Sequence, residues 1–219
     1  MNIKNANVKD TIMPISDPVP VSALRSRIMG MLVLAIILGP MIAAYIIYKS
    51  GVGIPIGTIN KGDLLPQAQS IAGLSVATLA GEPLDLISAK KQWRLLIPVP
   101  INCTKTCLKN LYTTRQMHIR LGEKARRVER ILLLQNAQQI KPMQKLLGQD
   151  HPRLKWALVN KDELKYLLQS EAELNRDIFQ RYYLMDQQGF IMMSYSDVHT
   201  GNQLLKDIKR MLKYSYEER

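Results

Sequence analysis

The sequence predicts an α/β domain joined to one apolar amino-terminal segment, and three observations carry that prediction. Short runs of large apolar residues, such as Leu95-Leu96-Ile97 and Ile131-Leu132-Leu133-Leu134, recur between stretches with helical apolar spacing. Turns at Gly81-Glu82-Pro83 and Asp186-Gln187-Gln188-Gly189 separate them. Ahead of these, the 21 residues from Ile28 to Tyr48 carry no charge.

At 219 residues the chain has room for a tail, an anchor and one core, not for two domains. Residues 1–27 hold Pro14, Pro18 and Pro20 with few large apolar side chains, so they read as a disordered cytoplasmic tail. Residues 28–48 read as a transmembrane helix, since 21 residues at about 1.5 Å rise span a hydrocarbon core of about 30 Å. A bilayer tolerates Gly39-Pro40 within it. The competing reading is a cleaved signal peptide, with Gly51-Val52-Gly53 as a weak cleavage site. The apolar stretch is too long and its preceding tail too extended for that, so an uncleaved anchor is expected. Lys4, Lys9, Arg25 and Arg27 precede the span and only Lys49 and Lys61 follow closely, which puts the amino end in the cytoplasm. The protein is therefore expected to cross the inner membrane once, with its carboxyl-terminal domain in the periplasm, where dithiols can oxidise.

Residues 49–70 read as a linker spaced by Gly and Pro, and residues 71–219 as the external domain. Leu74–Ala80 and Leu84–Ile87 read as short strands around Gly81-Glu82-Pro83. From Trp93 a buried strand, broken by Pro98 and Pro100, leads through a polar turn into a long helix that carries both cysteines of the chain, Cys103 and Cys107. Four residues apart, they are expected on one helix face, one turn from each other. Glu129–Gln135 reads as a buried strand, Gln139–Leu147 as a helix, Leu154–Val159 as a strand, and Lys161–Gln169 as a short helix with Asp162 and Glu163 in its first turn. Arg181–Tyr195 reads as a hairpin. Thr200–Tyr214 closes the chain as an amphipathic helix with Leu204, Leu205, Ile208 and Leu212 on one face.

The formal net charge is +12; four of the 30 basic and two of the 18 acidic residues precede Lys49, so the external part keeps a surplus of ten. That favours anionic lipid or an acidic protein partner. Nucleic acid is not expected, because the aromatics do not interleave with the basic residues. Two cysteines exclude a disulfide-dense scaffold. No G-x-S-x-G, H-E-x-x-H, Walker loop or dinucleotide fingerprint occurs, and Pro98 and Pro100 do not stand where a peroxiredoxin pattern needs its proline.

The chemistry on offer is that of two thiols. A helix start and the nearby Lys105 and Lys109 favour thiolate, Cys103 in particular. Two thiolates suit Cu(I), whereas zinc wants four ligands and no second cysteine pair exists. The plain alternative is a local disulfide, although so short a ring adds little by chain entropy.

The element order, hairpin, βαβαβα, hairpin and helix, with a dithiol after the first central strand, is that of a thioredoxin-like α/β fold. At the residue level, Gly81-Glu82-Pro83, Trp93-Arg94-Leu95-Leu96, C-x3-C and Tyr183–Gly189 (YLMDQQG) resemble the Sco/SenC family of cytochrome c oxidase assembly proteins, over roughly residues 71–210. The chain is also similar to membrane-anchored, Sco-related proteobacterial proteins. They share a connector, here Gly57, Thr58, Asn60, Gly62 and Leu64, and a run after the cysteines, here Leu111, Tyr112, Arg115, Gln116, Leu121 and Gly122. The resemblance implies an assembly factor that exchanges disulfides with, or briefly holds Cu(I) for, the copper-bearing subunit of the oxidase. It is expected to be a chaperone rather than a turnover enzyme.

The chain departs from that family where a histidine completes the copper site. The matching position falls near Ile178, no histidine lies between His151 and His199, and Leu108 replaces a proline. This weighs against copper storage and keeps open an accessory or scaffold protein with a degenerate site. The proline that precedes the corresponding thioredoxin strand is also missing, against a general thiol reductase.

His118 shares the cysteines' helix face but lies about 16 Å further along the axis, too far to share their metal. His199 is a candidate third ligand, its bland alternative an exposed histidine at a helix cap. His151, before Pro152, reads as solvated. Methionines 143, 185, 192, 193 and 211 read as core filling rather than copper ligands. Arg115, Arg120, Lys124, Arg126, Arg127 and Arg130 form a basic run, either a solvated face or a dock for an acidic surface.

Overall fold

The structure is a computed structural model that describes residues 23–50, 59–88 and 90–215. The tail before residue 23, Gly51-Val52-Gly53 and the connector residues Gly57 and Thr58 lie outside them. Two compact units divide near Gly57. The first contains helix α1 (Ala23–Ser50), whose side chains from Arg25 onward are exposed and which is long and apolar enough to cross a bilayer. The helix runs uninterrupted through Pro40.

The second unit is built on a seven-stranded sheet in the order β1-β7-β6-β3-β4-β5-β2. Its strands are β1 (Asp63–Ser70), β2 (Val76–Ala77), β3 (Trp93–Pro98), β4 (Val128–Leu134), β5 (Leu154–Val159), β6 (Tyr182–Met185) and β7 (Phe190–Tyr195). Strands β3, β4 and β5 are parallel, and β6 runs antiparallel to β3. Every residue of β3 is buried, as a strand covered on both faces requires. Helices α2 (Lys105–Arg120), α3 (Ile140–Leu147) and α6 (Gly201–Tyr214) supply one core with Leu111, Met143 and Leu204; α4 (Lys161–Leu167) and the region of α5 (Gln169–Glu173) close the other with Leu164 and Leu168. Met143, Met185 and Met193 are buried, as core residues should be.

The hairpin at Asp186–Gly189 forms as expected: the Asp186 carboxylate accepts from the Gln188 and Phe190 amides, and Gly189 takes φ +90°. Helix α6 starts at a capping box between Thr200 and Gln203, and Leu204, Leu205, Ile208 and Leu212 face the core.

Two expectations need correction. The linker expected over 49–70 ends in a strand: β1 pairs antiparallel with β7 at the sheet edge. Pro66 and a register shift between Leu64 and Gln69 hide it, and an edge strand accommodates both. The first hairpin is reduced to β2 and one antiparallel bridge from Ala77 to Pro83, and β2 also pairs with β5.

Candidate functional site

Strand β3 delivers the chain to the cysteines. The Val99 amide donates to Leu133 O at 3.0 Å, and the side-chain amides of Gln135 and Gln139 donate to the Val99 and Pro100 carbonyls, fixing the loop. Thr104 is the N-cap of α2, with extended backbone. Cys103 therefore precedes the helix, and only Cys107 stands in its first turn, which corrects the expectation that one helix face carries both. They are nevertheless together: a disulfide joins them, Cα to Cα 5.3 Å. Cys107 is 3 % exposed and packs in the core, whereas Cys103 is half-buried.

Antiparallel pairing of β6 with β3, and of β7 with β6, brings the start of β6 and the end of β7 to the cysteine end of the sheet. Two side chains of α2 reach them. Asn110 Nδ2 donates to Gln180 O at 2.9 Å, and Lys109 Nζ donates to Asp197 O at 2.8 Å. Tyr182 and Tyr195 stack at 5.3 Å in the core that holds Cys107. Burial pushes both phenols up, and the Asp207 carboxylate pushes Tyr195 further. Ile178, where the family resemblance places a histidine, is a buried core residue.

His199 is turned to other work. Its Nδ1 accepts from the Ser196 amide at 3.0 Å, Nε2 lies 3.9 Å from Asp63 Oδ1, and the ring meets Tyr195 edge-on. Among the described residues no three His, Cys, Asp or Glu side chains form a metal-holding group. Asp63 also pairs with Arg181, and Arg181 Nε lies 3.1 Å from Glu171 Oε2, a fully buried carboxylate that also accepts from Ser194 Oγ at 2.7 Å. The sequence did not single out this ionic knot, which joins α5 to the β1, β6 and β7 edge.

His118 is buried, and its Nε2 contacts the Val128 and Ala125 carbonyls at 2.8 and 3.2 Å. Burial lowers its pKa, with the Arg130 charge adding to the effect. His151, expected to be solvated, is half-buried with Nδ1 3.1 Å from Arg130 Nη2, and burial lowers its pKa too. The basic run is no single face: Arg130 is buried, Arg127 donates to the Leu212 and Ser215 carbonyls, and Arg120 donates to Asn202 Oδ1.

A second missed cluster fastens the connector. Asp207 Oδ2 accepts from the Lys61 and Gly62 amides at 2.8 and 2.9 Å and from Tyr195 Oη at 3.1 Å. The signal was present, an acid at position 207 inside the apolar stripe of α6.

Comparison with known proteins matches residues 93–215 to the family model described as transmembrane-like, thioredoxin-like, C-terminal domain. No curated protein matches the chain by sequence. Among solved structures, copper-bound yeast Sco1 is 14 % identical with a TM-score of 0.53, covering 73 % of this chain and 97 % of its own. A Sco protein, BsSco, described as having a disulfide switch, is 18 % identical with a TM-score of 0.50, covering 72 % and 99 %. A SCO1/SenC family lipoprotein from Bacillus anthracis str. Ames is 16 % identical with a TM-score of 0.50, covering 68 % and 99 %. At these identities the likeness shows a shared thioredoxin-like fold.

Proposed function

We propose that this chain, which belongs to the family of transmembrane-like, thioredoxin-like C-terminal domains, is a membrane-anchored assembly factor for cytochrome c oxidase that acts by thiol–disulfide exchange at Cys103 and Cys107. The observation that carries this reading is the asymmetry of the pair: Cys103 is half-buried in the loop before α2, and Cys107 is buried in the first turn of the helix. The Sco relatives of like fold include one described as a member of a family of cytochrome c oxidase assembly proteins.

A thiolate of the partner attacks Sγ of Cys103, the less buried cysteine; the Cys103–Cys107 bond breaks, and Cys107 leaves as a thiolate where the start of α2 favours negative charge. A second partner thiolate then attacks its own sulfur in the mixed disulfide and releases Cys103. The partner gains a disulfide and this chain becomes the dithiol, two electrons passing from partner to chain. The reverse sequence reduces a partner disulfide. The partner we assign is the copper-bearing subunit, met in the periplasm by a domain whose anchor leaves its amino end in the cytoplasm.

Copper as cargo is the narrower claim. The reduced pair offers a soft ion two sulfurs. Ile178 replaces the expected histidine, and His199 is engaged by Ser196 and Asp63, so the described residues do not fit a three-ligand site. Exchange is therefore the chemistry assigned.

The test is a Cys103→Ser, Cys107→Ser double variant in cells grown at limiting copper. Loss of assembled oxidase activity is expected; full activity overturns the role. The buried Ile178 favours a second reading, an accessory scaffold of the oxidase with a degenerate site. Co-purification of the double variant with an active oxidase would select it.

A further inference from the structure

At the far end of the domain from the disulfide, positive charge is gathered around a cavity of about 410 Å³. Arg115, His118, Gly122, Arg130 and Arg153 line it, below the last turns of α2 and beside the loop that leads into β5. Arg130 pairs with Leu95 and Leu154 in the sheet, toward the amino ends of the parallel strands. His118 stands eleven residues after Cys107, about 16 Å along α2.

Arg130 makes this cavity unusual. It is 2 % exposed, and no carboxylate pairs with it among the described residues. Its Nη2 donates to Leu111 O at 3.3 Å and to His151 Nδ1 at 3.1 Å, while its Nε is buried with no partner among the described residues. The surroundings compound the charge. Burial, then the Arg115 charge, bring Arg130 down to about 10, so it is still a cation at neutral pH. Arg130 and Arg115 oppose protonation of His151, and Arg130 and Arg153 oppose that of His118. The exposed Asp150 is the acid that acts on His151, and Glu129 is occupied by Arg94 and Lys155. A lone buried guanidinium is costly unless an anion meets it. Arginine's planar donors match phosphoryl oxygens in pairs.

We propose that this cavity is an anion site for a phosphoryl group, held by Arg115, Arg130 and Arg153. The site is separate from the dithiol and does not depend on the function assigned to it. It also gives a purpose to Arg115 and Gly122 of the run after the cysteines: one supplies charge, and the other ends α2 with φ +57°, beside the opening. A free phosphate and the headgroup of an anionic phospholipid present the same oxygens, and the second is at hand for a chain with a helix able to cross a bilayer.

The test uses the full chain. In dodecyl maltoside micelles at low ionic strength and pH 7, inorganic phosphate is titrated by calorimetry. In nanodiscs of phosphatidylcholine with phosphatidylglycerol, lipid retained after release is read by native mass spectrometry. An Arg115→Gln, Arg153→Gln variant is compared with Lys141→Gln, Lys145→Gln, which removes the same charge from exposed positions on α3. Saturable binding in either arm that the arginine variant weakens by at least about tenfold, with the lysine variant within about twofold, supports the site. Phosphate alone identifies a free anion as the ligand; retained phosphatidylglycerol identifies the headgroup. Binding in neither arm, or equal loss in both variants, overturns it.

Discussion

Gly62 backs so closely onto the ring of Tyr195 that a Cβ at that position would overlap the ring carbons. With the Lys61 and Gly62 amides donating to Asp207, this contact explains the glycine of the connector: only a residue without a side chain lets the backbone lie on the ring and reach the carboxylate. Gly62→Ala is expected to destabilise the external domain by about 1–3 kcal/mol, the usual range for overpacking. Gly73→Ala, where a Cβ would meet nothing within 4 Å, should be nearly neutral. Urea denaturation of the two variants checks the contrast.

The stacked tyrosines should behave differently when each loses its hydroxyl. Tyr182 Oη is buried with no partner among the described residues, so Tyr182→Phe should be neutral or slightly stabilising. Tyr195 Oη donates to Asp207, so Tyr195→Phe should cost about 1–2 kcal/mol. Thermal unfolding of both variants decides it.

Stability should decline in alkali. Tyr182, Tyr183 and Tyr195 all have folded pKa values raised above the ordinary 10.0, chiefly by burial. Below pH 10 their contribution is fully present. Above it the unfolded chain releases protons that the folded chain holds, so stability falls as pH rises. Circular dichroism at pH 9 and pH 11 should show the loss, smaller in Tyr195→Phe.

Mild acid should destabilise through a different pair. Burial, joined by the charge of Arg130, holds His118 and His151 below their ordinary 6.5. Their contribution is complete above pH 6.5. As pH falls below that value the unfolded chain takes up protons first, and the contribution is lost. Ring-proton NMR should place both titrations below 6.5, and His118→Gln should flatten the decline in stability between pH 7 and pH 5.

After reduction, the two thiols should differ in reactivity. Cys103 is half-buried in a loop and Cys107 is 3 % exposed, so iodoacetamide should label Cys103 well ahead of Cys107. Mass spectrometry of briefly alkylated protein gives the order; equal labelling would remove the asymmetry on which the exchange direction rests.

Strand β3, the cysteine pair, helix α6 and the last hairpin were legible because each writes a local pattern: an apolar run, a spacing of four, a stripe, a turn. Strand β1 was not, since Pro66 and a bulge erase its period and its partner β7 lies more than a hundred residues away. Arg130 read as part of a surface run, because charge in a sequence says nothing of burial. His199 sits at the cysteine end of the sheet, as the fold led one to expect, but its ring nitrogens face Ser196 and Asp63.

By itself the sequence determined what short-range physics controls. An uncharged span can cross a bilayer, alternating strands and helices make an α/β domain, and cysteines four apart can close a ring. Only the tertiary structure decided which cysteine is buried, which carboxylate fastens the connector and which arginine is enclosed without a counter-ion among the described residues. Those depend on contacts such as Asp207 with Gly62, 145 residues apart, where burial and pairing arise only once distant segments meet.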